Sequence, residues 1–421
     1  GILAPDLPLQ ALIRAEPDLA DKPLAVLAGG SQDSHAHKLL AHVSPAARKR
    51  LVRPGMTPVQ ARSILPSILI REVAPGVVHA AHQALVDAAW RFSPNVQTLE
   101  PGTIVIDLRG STFLHPSRAA LGNALQTACE RLGLHARIGI AGGPQLARVA
   151  ARMGEDVTVI PPGLEPSILA PHSLDLLQPS EGLANRFALL GLTLIRDLAR
   201  LDVRTLEPRL GREAAIMHAL SRGIDDSPFT PDRPQDLFEE SVAFDYTIDR
   251  LEPLSFLLGA AIKRLMARLQ TRSLACARLR LVLDLDPTGR HFVTLEPPTP
   301  HDDHRALLTL LRLSLDQRPP PGPVRGLTLS AISGPIAHQQ AELFAPPVME
   351  PLAAATLIAR LQALAGFDRV GDAAHARFQP APASGVPPTG TNRRTARLVL
   401  RHLSPPLPLS VVTRDDRPMI L

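Results

Sequence analysis

The sequence predicts an α+β chain of several domains, on three observations. Strand-like and helix-like segments alternate over residues 1–172, residues 173–232 carry helical patterns only, and strands and helices resume from about 238 in the order β-α-β-β-α-β. The 421 residues suffice for about three domains.

Taken in order, ILAPDLPLQALIRAEPDLADKPLAVLAG reads as a short buried strand, a helix from about Leu7 to Ala15 and a strand over Pro23–Leu27. Residues 30–75 read as a small helical stretch broken at Pro45, Pro54-Gly55 and Pro66. Apolar residues at helical spacing (Val78, Ala81, Leu85, Ala88, Phe92) predict a helix over Val77–Phe92 that stops before Pro94. TIVIDL, Thr103–Leu108, is a buried strand, Ser117–Leu134 an amphipathic helix and Ala136–Ala141 a further strand. This order predicts one α+β layer with the 30–75 segment inserted into it. Ser227–Pro234 is polar and proline-containing, hence a linker. Beyond it come a strand near Ser241–Tyr246, a helix Leu251–Thr271, strands Ala277–Leu285 and His291–Leu295, a helix Asp303–Leu315 and a strand Val324–Ser330. The tail holds a helix over Leu352–Ala365, a Pro/Gly/Thr-rich stretch to Asn392 and a short β-like end.

Composition narrows the function classes. With 45% hydrophobic and 20% charged residues the chain can bury real cores, which excludes wholesale disorder. No stretch approaches the roughly 18 uninterrupted apolar residues of a membrane span. Cys129 and Cys276 are the only cysteines and stand in unrelated contexts, which excludes a disulfide framework or a cysteine zinc site and makes a reducing cytoplasm the expected home. The chain opens with Gly1 rather than Met, so residues are expected to be missing before it. Arginine outnumbers lysine 41 to four. Its planar fork suits phosphate oxygens, although a GC-rich genome accounts for the same bias together with the 43 prolines. Aromatic residues, at 3%, are too few for base-stacking platforms to be the main binding device.

Four stretches carry a resemblance: EPDLADKPLAV, SPAARKRLVRPGM with ARSILP, IVIDLRG, and RIGIAGGPQLARVAAR. In this order and spacing they resemble the Y-family (DinB/UmuC-like) translesion DNA polymerases, over about residues 1–335. The resemblance implies a right-hand arrangement. A ferredoxin-like palm spans 1–28 and 76–172, small fingers 29–75, a helical thumb 173–232 and a β-α-β-β-α-β little finger 233–335, with 336–421 as a C-terminal extension.

The family catalyses nucleotidyl transfer with two metal ions held by carboxylates on adjacent strands. Aligned on Pro17, its first metal-binding Asp falls on Leu3 and its next acidic position on Pro5. Aligned on Asp107, its Asp-Glu pair falls on Gly102 and Thr103. None of the four supplies a carboxylate, and Asp6 reaches the site only if the register slips. In the nucleotide loop the family's Tyr falls on Pro45, while its Arg is kept as Arg48; its Asn-Lys pair falls on Gly143 and Pro144.

This loss, with LAPDLPLQAL at the start, is similar to the ImuB-type non-catalytic branch, with Leu7 where that pattern has Trp. The resemblance implies a catalytically inactive adaptor in damage-induced mutagenesis, without a cofactor or resident metal, cytoplasmic and nucleoid-associated. The partners it implies are damaged or primed DNA, the replicative sliding clamp (beta), an ImuA-type RecA-like protein and an error-prone C-family DNA polymerase. An active Y-family polymerase with displaced metal ligands is the alternative.

Gln340-Ala341-Glu342-Leu343-Phe344 is similar to the short extended QLxLF peptides that sliding clamps bind, with Gln340, Leu343 and Phe344 as anchors. The Ala345-Pro346-Pro347 run that follows favours an extended, exposed segment. Arg278 and Arg280 share one strand face and are the expected phosphate contacts. Arg264, Arg268 and Arg272 recur every four residues along a helix, where a DNA-facing stripe competes with a plain solvated face. Gly182, in SEGLAN, falls where helix-hairpin-helix proteins place a phosphate-binding loop. In His301-Asp302-Asp303-His304 helix capping outweighs metal binding. His79 and His82 read as solvated or core histidines; Gly139–Gly143 precedes a helix and is compatible with a phosphate cradle, but without Lys-Ser/Thr at its end it is not a nucleotide P-loop.

Overall fold

The computed structural model describes residues 1–28, 38–154, 156–297, 299–335, 357, 358, 361, 412–414 and 417–420. β1 (Ile2–Leu3) leads through a tight turn into α1 (Leu7–Ala15), and β2 (Leu24–Leu27) follows. β3 (Leu40–Val43), α2 (Pro45–Lys49), α3 (Pro58–Ile64) and β4 (Leu69–Arg71) form a small unit. Then come α4 (Pro75–Trp90), β5 (Val96–Thr98), β6 (Thr103–Ile106), α5 (Arg118–Arg131), β7 (Arg137–Ile140), α6 (Pro144–Arg152) and β8 (Val157–Val159). The sheet order β5-β6-β1-β7, with β8 added parallel to β7, is that of a β-α-β-β-α-β fold.

β2 departs from expectation. It pairs with β3 and β4 in a separate three-stranded sheet instead of joining the layer of β1 and β6. Its alternating side chains serve two cores: Ala25 and Leu27 pack with Ala47, Val52 and Ala61, whereas Leu24 and Val26 pack with Leu9 and Leu12 of α1. The 30–75 segment is therefore part strand, not helical throughout as expected. LAHV and LIR are too short for their period to show in sequence.

Short helices follow: α7 (Glu165–Leu169), α8 (Glu181–Leu189), α9 (Ile195–Ala199), α10 (Val203–Leu210) and α11 (Arg212–Ser221), around a core that includes Leu183, Phe187, Leu198 and Leu220. The second mixed unit is β9 (Leu237–Ile248), α12 (Leu251–Thr271), β10 (Leu274–Leu285), β11 (Arg290–Leu295), α13 (His304–Gln317) and β12 (Val324–Pro335). Its sheet is antiparallel throughout, in the order β11-β10-β12-β9. In the tail, β13 (Val412–Arg414) pairs with β14 (Arg417–Ile420). No helix among the described residues is long and apolar enough to cross a membrane.

The two mixed units share one hydrophobic core, in which Leu85 and Ala89 of α4 join Phe238, Leu265 and Leu269. A buried ionic cluster lies at the junction. Arg14 of α1 forks onto Glu240 of β9 at 2.7 and 2.8 Å and donates to the Leu132 carbonyl. Arg268 of α12 bonds Asp87 of α4 at 2.7 Å and Glu240 at 3.1 Å. Arg264 and Arg272 complete it at 3.4 Å from Glu240 and 3.7 Å from Asp87. Neither reading of the helix arginines holds, because Arg268 is only 2% exposed and faces carboxylates, not DNA or water.

Burial alone would push Glu240 up, but Arg14, Arg268 and Arg264 more than offset it and hold its carboxyl at about 2. Glu240→Gln would leave Arg14 and Arg264 without a carboxylate and Arg268 with Asp87 alone, and a buried pair broken on one side costs about 3–5 kcal/mol. Urea unfolding at neutral pH is expected to show that loss. The folded pKa lies below the ordinary 4.5, so the Glu240 contribution is whole above about 4.5 and fades as pH falls towards about 2. Asp87, whose carboxyl burial raises, titrates in both proteins. The difference between wild type and Glu240→Gln should therefore shrink on acidification.

Candidate functional site: the junction of β1 and β6

β1 and β6 lie side by side in antiparallel register, with Leu3 opposite Thr103 and the Ala4 amide donating to the Gly102 carbonyl at 2.8 Å. Leu3, Gly102 and Thr103 thus meet at one point on the sheet, and Pro5 follows in the turn that leads to α1. Leu3 is half-buried, while Gly102 and Thr103 are buried.

Gly102 does more than lack a carboxylate. Its φ is +87°, and a Cβ there would lie 2.9 Å from the Ala4 carbonyl oxygen and 3.3 Å from the Leu7 Cβ. Its amide donates to His82 Nδ1 at 3.1 Å. Burial, reinforced by His79, keeps the His82 pKa below its ordinary value, so the ring stays a neutral acceptor. A side chain at Gly102 would therefore meet backbone at once.

The acidic groups closest in sequence are engaged with other side chains. Asp6, three residues past Leu3, adopts φ 50° as the N-cap of α1 and accepts from His42 Nδ1 and Arg48 Nη2, both at 2.8 Å. His42 first and then Arg48 hold the Asp6 carboxyl below the usual range. Glu100, two residues before Gly102, pairs with Arg148 of α6 at 2.9 Å, with Arg152 at 3.8 Å. Sequence reading missed the Glu100 pair; the spacing of Arg148 and Arg152 by four on one helix was the available signal. Asp107 closes on Arg109 at 2.7 Å. Among the described residues no three His, Cys, Asp or Glu side chains are grouped to hold a metal.

The remaining nucleotide-loop positions are built as helix starts. Pro45 and Pro144 stand at the first positions of α2 and α6, where a missing N–H costs nothing. At the Gly139–Gly143 segment the helix start already holds an internal carboxylate: Asp225 accepts from the Leu146 amide at 2.9 Å and lies against Gly143. A cleft of about 670 Å³ opens beside α1, lined in part by Pro8, Ala41, His42, Val78, His82 and Pro101. Glu72, its one acidic lining residue, is bound to Lys38.

On the second sheet Arg278 and Arg280 are exposed on one face, as their spacing requires. Arg278 pairs with Glu296 at 2.8 Å, and Arg280 lies 5.2 Å over the Phe292 ring. Gly182 is not in a loop as expected. Ser180 is the N-cap of α8, so Gly182 falls in its first turn, and Glu213 accepts from the Ser180 amide and hydroxyl, both at 2.7 Å. Positive φ is found instead at Gly191, Gly211 and Gly223 of this region. Asp303 caps α13 through the Arg305 amide at 2.8 Å. Gln340, Leu343 and Phe344 lie outside the described residues.

Residues 8–152 match the impB/mucB/samB family model. Among curated relatives, "Protein ImuB" of Caulobacter vibrioides is 27% identical over 293 residues, covering 69% of this chain. This chain spans 64% of that relative's length. "DNA polymerase IV" of Desulfatibacillum aliphaticivorans is 25% identical over 348 residues, covering 79% of this chain and 86% of the relative. Among solved structures, an insertion ternary complex of Dbh DNA polymerase aligns with a TM-score of 0.48 at 17% identity, over 79% of this chain and 97% of that one.

The closed geometry at Gly102 gives a direct expectation. Gly102→Ala should destabilise the protein by about 1–3 kcal/mol, from left-handed strain and the overlap with the Ala4 carbonyl. A midpoint shift in urea denaturation measures it; the same change at exposed Gly182 should cost little.

Proposed function

We propose that this chain is a catalytically silent Y-family relative that serves as a DNA- and sliding-clamp-binding adaptor in translesion synthesis. One observation carries the reading. Where the family holds two metal ions, this chain has Leu3, Gly102 and Thr103 in register, with the Gly102 backbone folded into the space of a side chain. Two-metal catalysis needs oxygen ligands that neutralise and position the ions, and the flanking Asp6 and Glu100 carboxylates already neutralise arginines. The similarity to an ImuB protein supports the same reading.

In this role the frame outlasts the chemistry. The second sheet presents Arg278 and Arg280 towards nucleic acid, and α8 offers the Gly182 turn. The segment Gln340–Phe344 docks on the replicative clamp, and the tail after it recruits an ImuA-type RecA-like protein and an error-prone C-family polymerase that performs synthesis. The work takes place in the cytoplasm, on the nucleoid.

Primer extension by the purified protein with Mg²⁺ or Mn²⁺ is expected to give no template-dependent product. Product that scales with protein would favour the alternative, an active polymerase with displaced ligands. Substituting Gln340, Leu343 and Phe344 together by Ala should weaken clamp binding by about 2 kcal/mol or more, as for anchor residues generally. Calorimetric titration against the clamp measures it, and unchanged affinity would discard the motif.

A further inference from the structure

We infer that the principal phosphate-binding surface of this chain is the outer face of the small unit formed by α2, α3 and the turn between them, with the Arg278–Arg280 strand contributing less. This rests on the DNA-binding reading and names the surface that would carry it.

The charge distribution is the first observation. Residues 38–71 contain seven Lys or Arg and no Asp or Glu. Three of the seven are neutralised from outside: Lys38 by Glu72, Arg48 by Asp6 and Arg71 by Asp245. The other four, Lys49, Arg50, Arg53 and Arg62, are exposed and have no carboxylate partner among the described residues. The Arg53 guanidinium donates to the Arg48 and Val52 carbonyls, which fixes its position and leaves its charge intact.

Placement is the second. Ala47, Val52 and Ala61 anchor α2, the turn and α3 to one core on one face of β2, while α1 covers the opposite face. The exposed sides of α2 and α3 therefore belong to one outer surface. Helix-dipole stabilisation of cations near the ends of α2 and α3 accounts for some of the local preference. It does not account for the lack of any acid across the whole unit.

The strand arginines differ. Arg278 pairs with Glu296, Arg280 is stacked on Phe292, and neighbouring Arg290 pairs with Asp284. A phosphate must displace a carboxylate to reach Arg278, whereas on the small unit it displaces only water and counterions. Release of condensed counterions is the main source of sequence-independent affinity for nucleic acid. The unit contains no Phe, Tyr or Trp, so it offers no base-stacking platform. Its ligand is the sugar-phosphate backbone, read without regard to sequence.

The test is the salt dependence of binding by the whole protein, by fluorescence anisotropy, to duplex, primed and single-stranded oligonucleotides. Lys49→Ala, Arg50→Ala and Arg62→Ala together should lower the slope of log K against log salt by about 2.7 on duplex or about 2.1 on single strands. The size of the drop distinguishes the two ligands. Arg278→Ala with Arg280→Ala should lower it by less than one. A Lys49→Gln, Arg50→Gln, Arg62→Gln protein with an unchanged circular-dichroism spectrum must reproduce the effect. If the triple variant keeps the wild-type slope, or the strand pair shows the larger drop, the assignment is overturned. Wild-type protein that binds none of the oligonucleotides would sink the DNA-binding reading itself, and with it this assignment.

Discussion

The placement of the second sheet depends on Glu240. This carboxylate accepts the fork of Arg14 from one unit and Arg268 from the other, with Arg264 beside it. Ions buried so deeply are tolerated only when every partner is in place, which makes such a cluster selective for a single docking geometry. The continuous core of Leu85, Ala89, Phe238 and Leu265 supplies attraction, and the ions supply register. With the units held in this way, the exposed faces of both sheets keep a fixed relation to one another and to the point where β1 meets β6.

Much of the fold was legible because long periodic segments declare themselves. The helix expected over Leu251–Thr271 has the bounds of α12, and the second β-α-β-β-α-β unit came out element for element. The short strands β3, β4, β5 and β8 were not legible, since three or four residues carry too little period to separate strand from loop. β2 was recognised as a strand but assigned to the wrong sheet, because its two buried faces give no sign of which neighbours it pairs with. Arginines spaced by four were read as a surface stripe; spacing reveals a shared helix face but not whether that face meets water or a buried carboxylate.

At the candidate site, sequence placed Leu3, Gly102 and Thr103 at the aligned positions but gave no sign of their local geometry. Gly102 read as a lost aspartate. In three dimensions it is a left-handed residue under the Ala4 carbonyl, tied to His82, where a side chain no longer fits. Pro45 and Pro144 read as lost ligands and are helix-starting residues. The phosphate cradle read from GIAGG holds an internal carboxylate, Asp225, that no local pattern pairs with residues 142–146. In each case the position has a local structural part, as a left-handed turn, a helix start or an internally capped helix end.

Whether metal can be held at all between β1 and β6 is the central question. Crystals grown with primed DNA, a nucleotide and Mn²⁺ answer it through anomalous scattering. No manganese peak is expected beside Leu3 and Thr103. A peak there with Asp6 or Glu100 oxygens about 2.1 Å away, in the range for a hard divalent ion, would contradict the account.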